Sequence, residues 1–340
     1  MSTASSMPPS LPTPMSGSER SGVAARFGRD RLRREHLRQA GLPLAVVVLF
    51  IVFAINSDVF FTTANFQNVS LAAAGLALVS FGQCFVVLTA GIDLSVGSTV
   101  ALVSVIAAKV MGADGVLLGI LAGLAAGVGV GIANGLVVTK LKVVPFVATL
   151  AMLSIASGLA LTISGGTPVT TIPSSFADIA NKQVAGIPLL AVVAVVLFFV
   201  AWVVLRFTRI GRHIYAIGGN LEAARLSGIR VDRVALSSYV ICSAFAAAGS
   251  LVLTARVASG QPTLGTNLAL QSVTAVVLGG VSLFGGRGTV VGVLFGVIFV
   301  SVLENGLNLL GVSSYTQMLI LGAALIAVLA IDWRLFRDAD

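Results

Sequence analysis

The side chains in this sequence that could do chemistry are a few acids, amides and hydroxyls set within long apolar runs. Asp93 and Ser95 interrupt one run, in the stretch GIDLSVGS at 91–98, and Glu304 interrupts another. The amides in the same setting are Gln83, Asn134, Gln271, Asn305 and Asn308. Amides and hydroxyls both donate and accept hydrogen bonds, so they could line a path for a hydroxyl-rich solute. They could equally hydrogen-bond to neighbouring helices, and the sequence leaves both interpretations open.

Asp93 also has two interpretations. An acidic side chain costs about 2.5–3.5 kcal/mol at the centre of a membrane, so it would face protein or water there. In the structural interpretation, its carboxylate caps the helix that begins near Ser95. In the functional interpretation, Asp93 and Ser95 gate or line the path of a solute.

No catalytic arrangement stands out, and the sequence predicts a subunit that is not an enzyme. It has no G-x-x-x-x-G-K-S/T motif, and none of its lysines, at positions 109, 140, 142 and 182, follows a glycine. It therefore has no Walker-type phosphate cradle and cannot hydrolyse ATP by itself. Both histidines lie in arginine-rich stretches, and Cys84 and Cys242 lie in apolar segments without a CxxC motif. We expect no catalytic residue, no metal and no cofactor bound by this chain.

The composition is that of a membrane protein. Of 340 residues, 57% are apolar and only 10% are charged, and the mean hydropathy is +1.03. A soluble core of this length could not cover so much apolar surface, so we expect an all-α polytopic membrane protein. The net charge of +8 does not indicate a nucleic-acid partner, because the positive residues fall at the ends of apolar segments.

Ten apolar segments are long enough, or nearly so, to cross a bilayer, which takes about 20 helical residues. They are residues 42–61, 68–90, 94–112, 115–138, 144–165, 187–205, 234–255, 268–284, 290–310 and 315–332. Ten spans place both termini on one side, and the arginine-rich amino end makes that side cytoplasmic. Of the 21 Lys and Arg, only Lys109, Lys182 and Arg256 then lie outside. The outer segments are 57–67, 113–114, 166–186, 256–267 and 311–314.

The chain divides into a membrane domain and two tails. Residues 1–41 are predicted to be a cytoplasmic, basic and largely disordered tail, Pro/Ser-rich up to residue 22 and arginine-rich from 23 to 38. The arginine-rich part is suited to contact with anionic membrane lipid. Residues 42–332 form the membrane domain, and residues 333–340 form a cytoplasmic carboxy-terminal tail.

Glycines mark three features of the membrane domain. Those at positions 123, 127, 131 and 135 recur every fourth residue and predict a face where helices pack closely. The breaks at 91–97 and 285–288 are either short cytoplasmic turns or partly re-entrant elements that face the solute path. An apolar helix, a glycine-flanked break and a second apolar helix occur in both halves of the chain, which is a weak sign of an inverted repeat.

One long polar stretch lies inside the apolar sequence, at 206–233, and reads RFTRIGRHIYAIGGNLEAARLSGIRVDR. Asn220 can cap a helix whose first turn holds Glu222 and whose last turn holds Arg225. Gly228 can then end it in the left-handed conformation. This helix has about two turns, roughly 10 Å. A helix this short is marginal by itself, so something must pack on it.

The stretch GRHIYAIGGNLEAARLSGIRVDR closely resembles the cytoplasmic coupling loop of ATP-binding-cassette (ABC) importer permeases for simple sugars, of the ribose, xylose and galactose type. The resemblance continues in GIDLSVGS (91–98), AVVLGGVSLFGGRGTVVGVLFG (275–296) and ENGLNLLGVSSYTQMLILG (304–322), and covers almost everything from residue 42 onward. It implies the permease fold of that family, a bacterial inner-membrane location, and ATP bound by a partner subunit rather than by this chain.

The resemblance also implies partners and roles. Two copies of the chain would line one path, an ABC ATPase subunit would lie beneath them, and an extracytoplasmic sugar-binding protein would deliver a monosaccharide or related polyol. The residues of the contact with the ATPase would be Asn220, Glu222, Ala223, Ala224, Arg225, Ser227 and Gly228. A branched-chain amino-acid permease is one alternative. An ion-coupled secondary transporter is another, although it would need a relay of buried ionisable groups, for which Asp93 and Glu304 are few.

Overall fold

The computed structural model describes residues 41–337, with side chains described up to residue 327. The predicted amino-terminal tail, residues 1–41, lies outside this part except for Gly41, and residues 338–340 of the predicted carboxy-terminal tail also lie outside it. The last helix continues to Arg337, past the predicted end of the final span at residue 332.

Ten apolar helices within residues 41–337 account for the ten predicted spans. Seven of them are long and apolar enough to cross a membrane, and the other three have shorter apolar stretches, that of the last helix being Ser314–Ala327. In chain order they are α1 (Gly41–Asn56), α2 (Thr63–Leu88), α3 (Val96–Asp114), α4 (Val116–Thr139), α5 (Pro145–Ser164), α7 (Leu189–Phe207), α10 (Val231–Val257), α11 (Leu268–Leu278), α12 (Val290–Leu309) and α13 (Ser314–Arg337). The predicted all-α polytopic fold is confirmed.

Short elements fill two of the connections. Before α7 lie α6 (Ser174–Ala177), a 3-10 turn (Asp178–Asn181) and the antiparallel strands β1 (Gln183–Val184) and β2 (Ile187–Pro188). The arginine-rich stretch after α7 forms α8 (Arg209–Gly219) and α9 (Leu221–Leu226). The short helix predicted from Asn220 onward is α9, whereas the sequence did not lead us to predict α8.

The membrane domain is built around α2 and α3. In their most apolar stretches 83% and 72% of the residues are buried, against 22% in α5 and in α7. Large apolar side chains of these outer helices, such as Leu150, Val196 and Phe199, are exposed. Because lipid tails are as apolar as leucine, such exposed faces suit contact with the bilayer.

The regularly spaced glycines of α4 form the predicted packing face. A Cβ at Gly127 would lie 2.5 Å from the Cβ of Ala247, and one at Gly131 would lie 2.7 Å from the carbonyl oxygen of Tyr239. Both neighbours belong to α10. Glycine is therefore what lets α4 and α10 approach this closely, and the predicted packing seam is confirmed.

The two breaks whose nature the sequence left open differ in kind. The first, 91–97, has most of its residues buried within the protein. Irregular backbone in a membrane domain requires such enclosure, so this break is an interior element rather than an exposed turn. The second, 285–288, includes the exposed Arg287. The N–H of Gly286 in this second break donates to the carbonyl oxygen of Leu88 over 2.9 Å, so it is a turn that closes on the end of α2.

Residues 258–267, predicted as part of an outer loop, fold back against α3. A Cβ at Gly260 would lie 2.8 Å from the carbonyl oxygen of Ser104, and one at Gly265 would lie 2.9 Å from that of Gly97. The segment therefore runs along α3 toward its first turn. The helix that follows has 11 residues and is only about 16 Å long. The predicted span of 268–284 is too long, because hydropathy does not report the depth at which a helix starts.

Candidate functional site

The helix α9 begins and ends as its sequence predicts. The side-chain oxygen of Asn220 accepts from the backbone N–H of Ala223 over 2.9 Å, and Gly228 takes the left-handed conformation at φ +79°. The N–H of Ile229 donates to the carbonyl oxygen of Ala224 over 3.1 Å, which caps the carboxyl end of α9. Local hydrogen bonds therefore shape this short helix.

The surface of α9 is suited to contact with another molecule. Glu222 and Arg225 form an exposed ion pair with an N–O distance of 3.2 Å. Leu226 is 88% exposed, whereas Ala224 is 4% exposed and faces the protein. The other exposed candidates are Asn220, Ala223, Ser227 and Gly228. The exposed Leu226 offers an apolar contact, and the ion pair beside it offers a polar rim.

The helix α8 fixes α9 to the membrane domain. Tyr215 Oη donates to the carbonyl oxygen of Gly288 over 2.9 Å. Burial raises the pKa of this hydroxyl to about 12, so it stays protonated. A Cβ at Gly218 would collide with the carbonyl oxygen of Leu88 and the nitrogen of Gly286. The end of α8 therefore touches both the end of α2 and the turn before α12.

Asp93, Ser95 and Asn134 form a closed polar cluster in which each residue is 0% exposed. Asp93 Oδ1 accepts from the backbone N–H of Ser95 over 2.9 Å and from its hydroxyl over 2.6 Å. Asn134 Nδ2 donates to Ser95 Oγ over 2.8 Å and to Asp93 Oδ2 over 3.4 Å. The cluster joins the start of α3 to α4, which suits a structural role for Asp93. Its carboxylate accepts from Ser95, the residue before α3, and not from the N–H groups of the first turn of α3 as the predicted cap would.

A polar cavity of about 630 Å³ lies between α2, the end of α10, α11 and α12. Its volume falls in the range of about 300–1,000 Å³ that is usual for small-molecule sites. Gln271, Glu304, Asn305 and Asn308 all line it, and Gln271 Nε2 donates to Glu304 Oε1. The structure thus brings four of the predicted residues together around one space.

Two of these residues also hold helices together. Gln317 of α13 donates from Nε2 to Asn308 Oδ1 over 2.8 Å, at a second cavity of about 220 Å³. The amides of Asn305 and Asn65 exchange two hydrogen bonds, of 2.9 and 3.1 Å. Asn305 therefore ties α12 to α2 at the edge of the larger cavity.

Gln83 belongs to neither group of polar residues. It is 0% exposed within α2, and its Oε1 accepts from Cys242 Sγ of α10 over 3.6 Å. It lines neither of the two cavities described above. This contact supports the interpretation of Gln83 as a link between helices.

Three residues near these sites were missed by sequence reasoning. Arg256 was assigned only to the outer side of the membrane, yet it and Glu304 are the two charged residues among the described lining of the larger cavity. Gln317 could have been found from the sequence, because it is an amide in an apolar helix. Leu226 could also have been found, because it is a large apolar residue in an otherwise polar stretch.

Within the described residues 41–337, ten apolar helices, a polar cavity between four of them and a short exposed helix fixed to their ends define a multi-pass membrane transport protein. Comparison with known proteins gives the family. Residues 65–329 match the family described as "Branched-chain amino acid transport system / permease component". The chain belongs to this permease family.

The chain is also similar to curated bacterial permeases along most of its length. It is 43% identical to the ribose import permease protein RbsC of Bacillus subtilis (strain 168), over 87% of this chain and 93% of the relative. It is 38% identical to RbsC of Escherichia coli (strain K12), over 90% and 97%, and 32% identical to the D-allose transport system permease protein AlsC of the same strain, over 85% and 89%. No solved structure matches the chain. The chain is a multi-pass protein of a bacterial inner membrane.

Proposed function

We propose that this chain is the membrane-spanning permease subunit of an ABC importer that passes a monosaccharide or related polyol, delivered by an extracytoplasmic binding protein. Relatives named for ribose import and D-allose transport support the sugar class. The positive-inside rule puts α9 and both termini in the cytoplasm. Since the sequence carries no phosphate-binding motif, ATP is bound and hydrolysed by a separate subunit. The chain itself uses no cofactor.

The observation that carries this proposal is the exposed helix α9. Its caps fix its shape, while Leu226 is 88% exposed and the pair of Glu222 and Arg225 is exposed beside it. A preformed helix with an uncovered apolar residue fits a cleft on a partner surface. We take that partner to be the ATPase, with two copies of the permease lining one path, as the family resemblance implies. The mass of the purified complex would show whether it contains two copies of the permease.

Movement of α9 can be transmitted to the membrane domain through α8. The end of α8 contacts Leu88 at the end of α2 and Gly286 before α12. The same two helices line the polar cavity near their other ends, through Asn68 and Glu304. Closure of the ATPase around α9 would therefore shift the helices that bound the cavity, so that one end of the path opens as the other closes.

Charge reversal at Arg225 tests the docking role. In membranes that hold the chain with its ATPase and binding protein, Arg225→Glu should lower both ATPase copurification and ATP-driven uptake of labelled D-ribose, while the chain still inserts. Lys182→Glu is the matched control, because Lys182 is exposed in the connection before α7, on the outer side in the proposed topology. Full copurification and uptake in Arg225→Glu would exclude α9 as the contact.

A second variant separates docking from transmission. In Gly218→Ala the new Cβ would displace Leu88 or Gly286, so uptake should fall although the ATPase still copurifies. Unchanged uptake would show that the route does not run through α8.

The family description names branched-chain amino acids, so L-leucine is the second solute to measure. Uptake of L-leucine without uptake of any sugar would replace the proposed solute and leave the role of α9 unchanged.

A further inference from the structure

The larger cavity reaches the middle of the membrane domain. Helices α11 and α12 run antiparallel, with Gly296 packed against Ala275 and Gly292 against Gly279. This register puts Gln271, which lines the cavity, opposite the centre of α12. The lining positions of α12 itself run from residue 301 to residue 308, a length of roughly 10 Å. The cavity therefore extends from the outer end of α12 to about half its depth.

The lining is rich in groups that both donate and accept hydrogen bonds. Its amides are Asn68, Gln261, Asn267, Gln271, Asn305 and Asn308. Each hydroxyl of a polyol also donates one hydrogen bond and accepts others, so an amide can pair with it in either direction. Among the described lining residues none is aromatic, so no ring face is offered for stacking.

Two of the six amides, Asn68 and Asn267, are available to a ligand rather than used to hold helices together. Asn267 immediately precedes α11, but its side chain makes no capping hydrogen bond. Both Asn267 and Asn68 are exposed. Leu76 also lines the cavity and lies eight residues after Asn68 along α2, about 12 Å deeper. By the register of α11 and α12, Asn267 lies opposite Glu304 and Gln271 lies deeper. A solute would thus meet amides from the mouth to the deep end, where Leu76 adds an apolar surface.

We propose that this cavity is a solute-binding site of the permease itself, in which the amides hold one monosaccharide or polyol midway across the membrane. This inference rests on the proposed function for its orientation and its solute class. Binding is expected to be weak, in the millimolar range, because a path must release what it binds and no ring stacks on the solute. The site thus adds a binding step after delivery of the sugar.

Protection of an introduced cysteine tests the site. Both native cysteines are buried, so Asn68→Cys supplies an accessible thiol in the complete complex of permease and ATPase. A membrane-impermeant thiol reagent is added from outside, with D-ribose, D-allose, D-xylose, D-galactose or L-leucine present in turn. One of the sugars should slow labelling about tenfold once its free concentration exceeds its dissociation constant by about that factor. Asp58→Cys, exposed on the loop before α2, should label at an unchanged rate.

A second variant ties protection to the amides. Asn267→Ala in the Asn68→Cys background should raise the sugar concentration for half-protection by about two- to tenfold, the effect of losing one hydrogen bond. Folding should persist, because the Asn267 side chain does not cap α11. An unchanged half-protection concentration would remove Asn267 from the site and overturn the role given to the amides.

The outcomes separate this inference from the proposed function. If ATP-driven sugar uptake is normal but no sugar protects Asn68→Cys, the cavity is not a binding site and the function stands. Protection by L-leucine alone would overturn the sugar assignment of the cavity. If no sugar is taken up by the wild-type complex, the proposed function fails first.

Discussion

Two acidic side chains interrupt the apolar sequence, and the structure places them in opposite surroundings. Asp93 is 0% exposed, and Ser95 and Asn134 donate three hydrogen bonds to its carboxyl group. Glu304 lines a cavity of about 630 Å³, where Gln271 donates to it. Asp93 links the start of α3 to α4 inside the helix bundle, whereas Glu304 faces the space in which we propose that a solute binds.

The local backbone accounts for this difference. Asp93 lies in a break, so the N–H and the hydroxyl of Ser95 two residues later are free to reach back to it. Glu304 lies within the continuous helix α12, where backbone N–H groups are used by the helix itself. Its partners must come from another helix or from a ligand. The comparison therefore predicts a structural role for Asp93 and leaves Glu304 accessible to a ligand.

The largest expected effect is on folding, at Asp93. Asp93→Ala would leave the backbone N–H and the hydroxyl of Ser95 buried without an acceptor, at about 1–3 kcal/mol for each group, or about 2–6 kcal/mol in total. Unfolding of the purified protein in a denaturing detergent should show this loss. Glu304→Ala should cost less, about 0.5–1.5 kcal/mol, because it removes only the hydrogen bond from Gln271.

One outcome for Asp93→Ala would contradict a structural role for Asp93. A variant with wild-type stability but no uptake would make Asp93 a gating residue, the functional interpretation that the sequence left open.

A smaller effect is expected at the amides that accompany the two acids. Asn134→Ala removes the donor to Ser95 Oγ and should cost about 1–3 kcal/mol of stability. Asn68→Ala is its control, because Asn68 is exposed at the cavity and is not one of the amides that join helices. Equal costs for the two substitutions, measured by the same unfolding assay, would show that both clusters are structural.

Features set by interactions between residues close in the sequence could be predicted from the sequence alone. The spans were predictable because crossing a bilayer needs a long apolar run, and α9 was predictable because Asn220 and Gly228 act within one turn. The helix α8 also had a local signal that was not used: Thr208 caps it through the N–H of Gly211 over 3.2 Å, and Ile214 and Ile217 form its buried face.

The cavity could not be predicted in the same way. Arg256, Asn68 and Glu304 come from three helices that are far apart in the sequence. Their convergence depends on how residues 258–267 fold back along α3 and on the glycine contacts between α11 and α12. Hydropathy reports neither of these, so the sequence named several of the lining residues without showing that they share one space.

A further effect is expected on transport, at Glu304. Glu304→Gln can still accept from Gln271 but lacks the charge, and a hydrogen bond to a charged group is stronger by about 1 kcal/mol. The half-saturating concentration of sugar-loaded binding protein for uptake should rise about fivefold at unchanged stability. Asp178→Asn makes the same chemical change at an exposed site before α7 and should leave uptake unaltered. Equal uptake curves for Glu304→Gln and the wild type would remove Glu304 from the solute path.

The smallest effect concerns Asn305, which lies on the boundary between the two kinds of polar site. It lines the cavity, but its amide is engaged with Asn65 in two hydrogen bonds. A double-mutant cycle of Asn65→Ala and Asn305→Ala should therefore give a coupling of about 0.5–1.5 kcal/mol in the free energy of unfolding. The cycle of Asn65→Ala with Asn308→Ala should give none, because Asn308 bonds to Gln317 instead. The first cycle could instead show no coupling while Asn305→Ala weakens protection of Asn68→Cys by sugar. Asn305 would then belong with Glu304 to the solute site. A hydrogen bond between amides at the edge of the cavity would in that case not indicate a structural role.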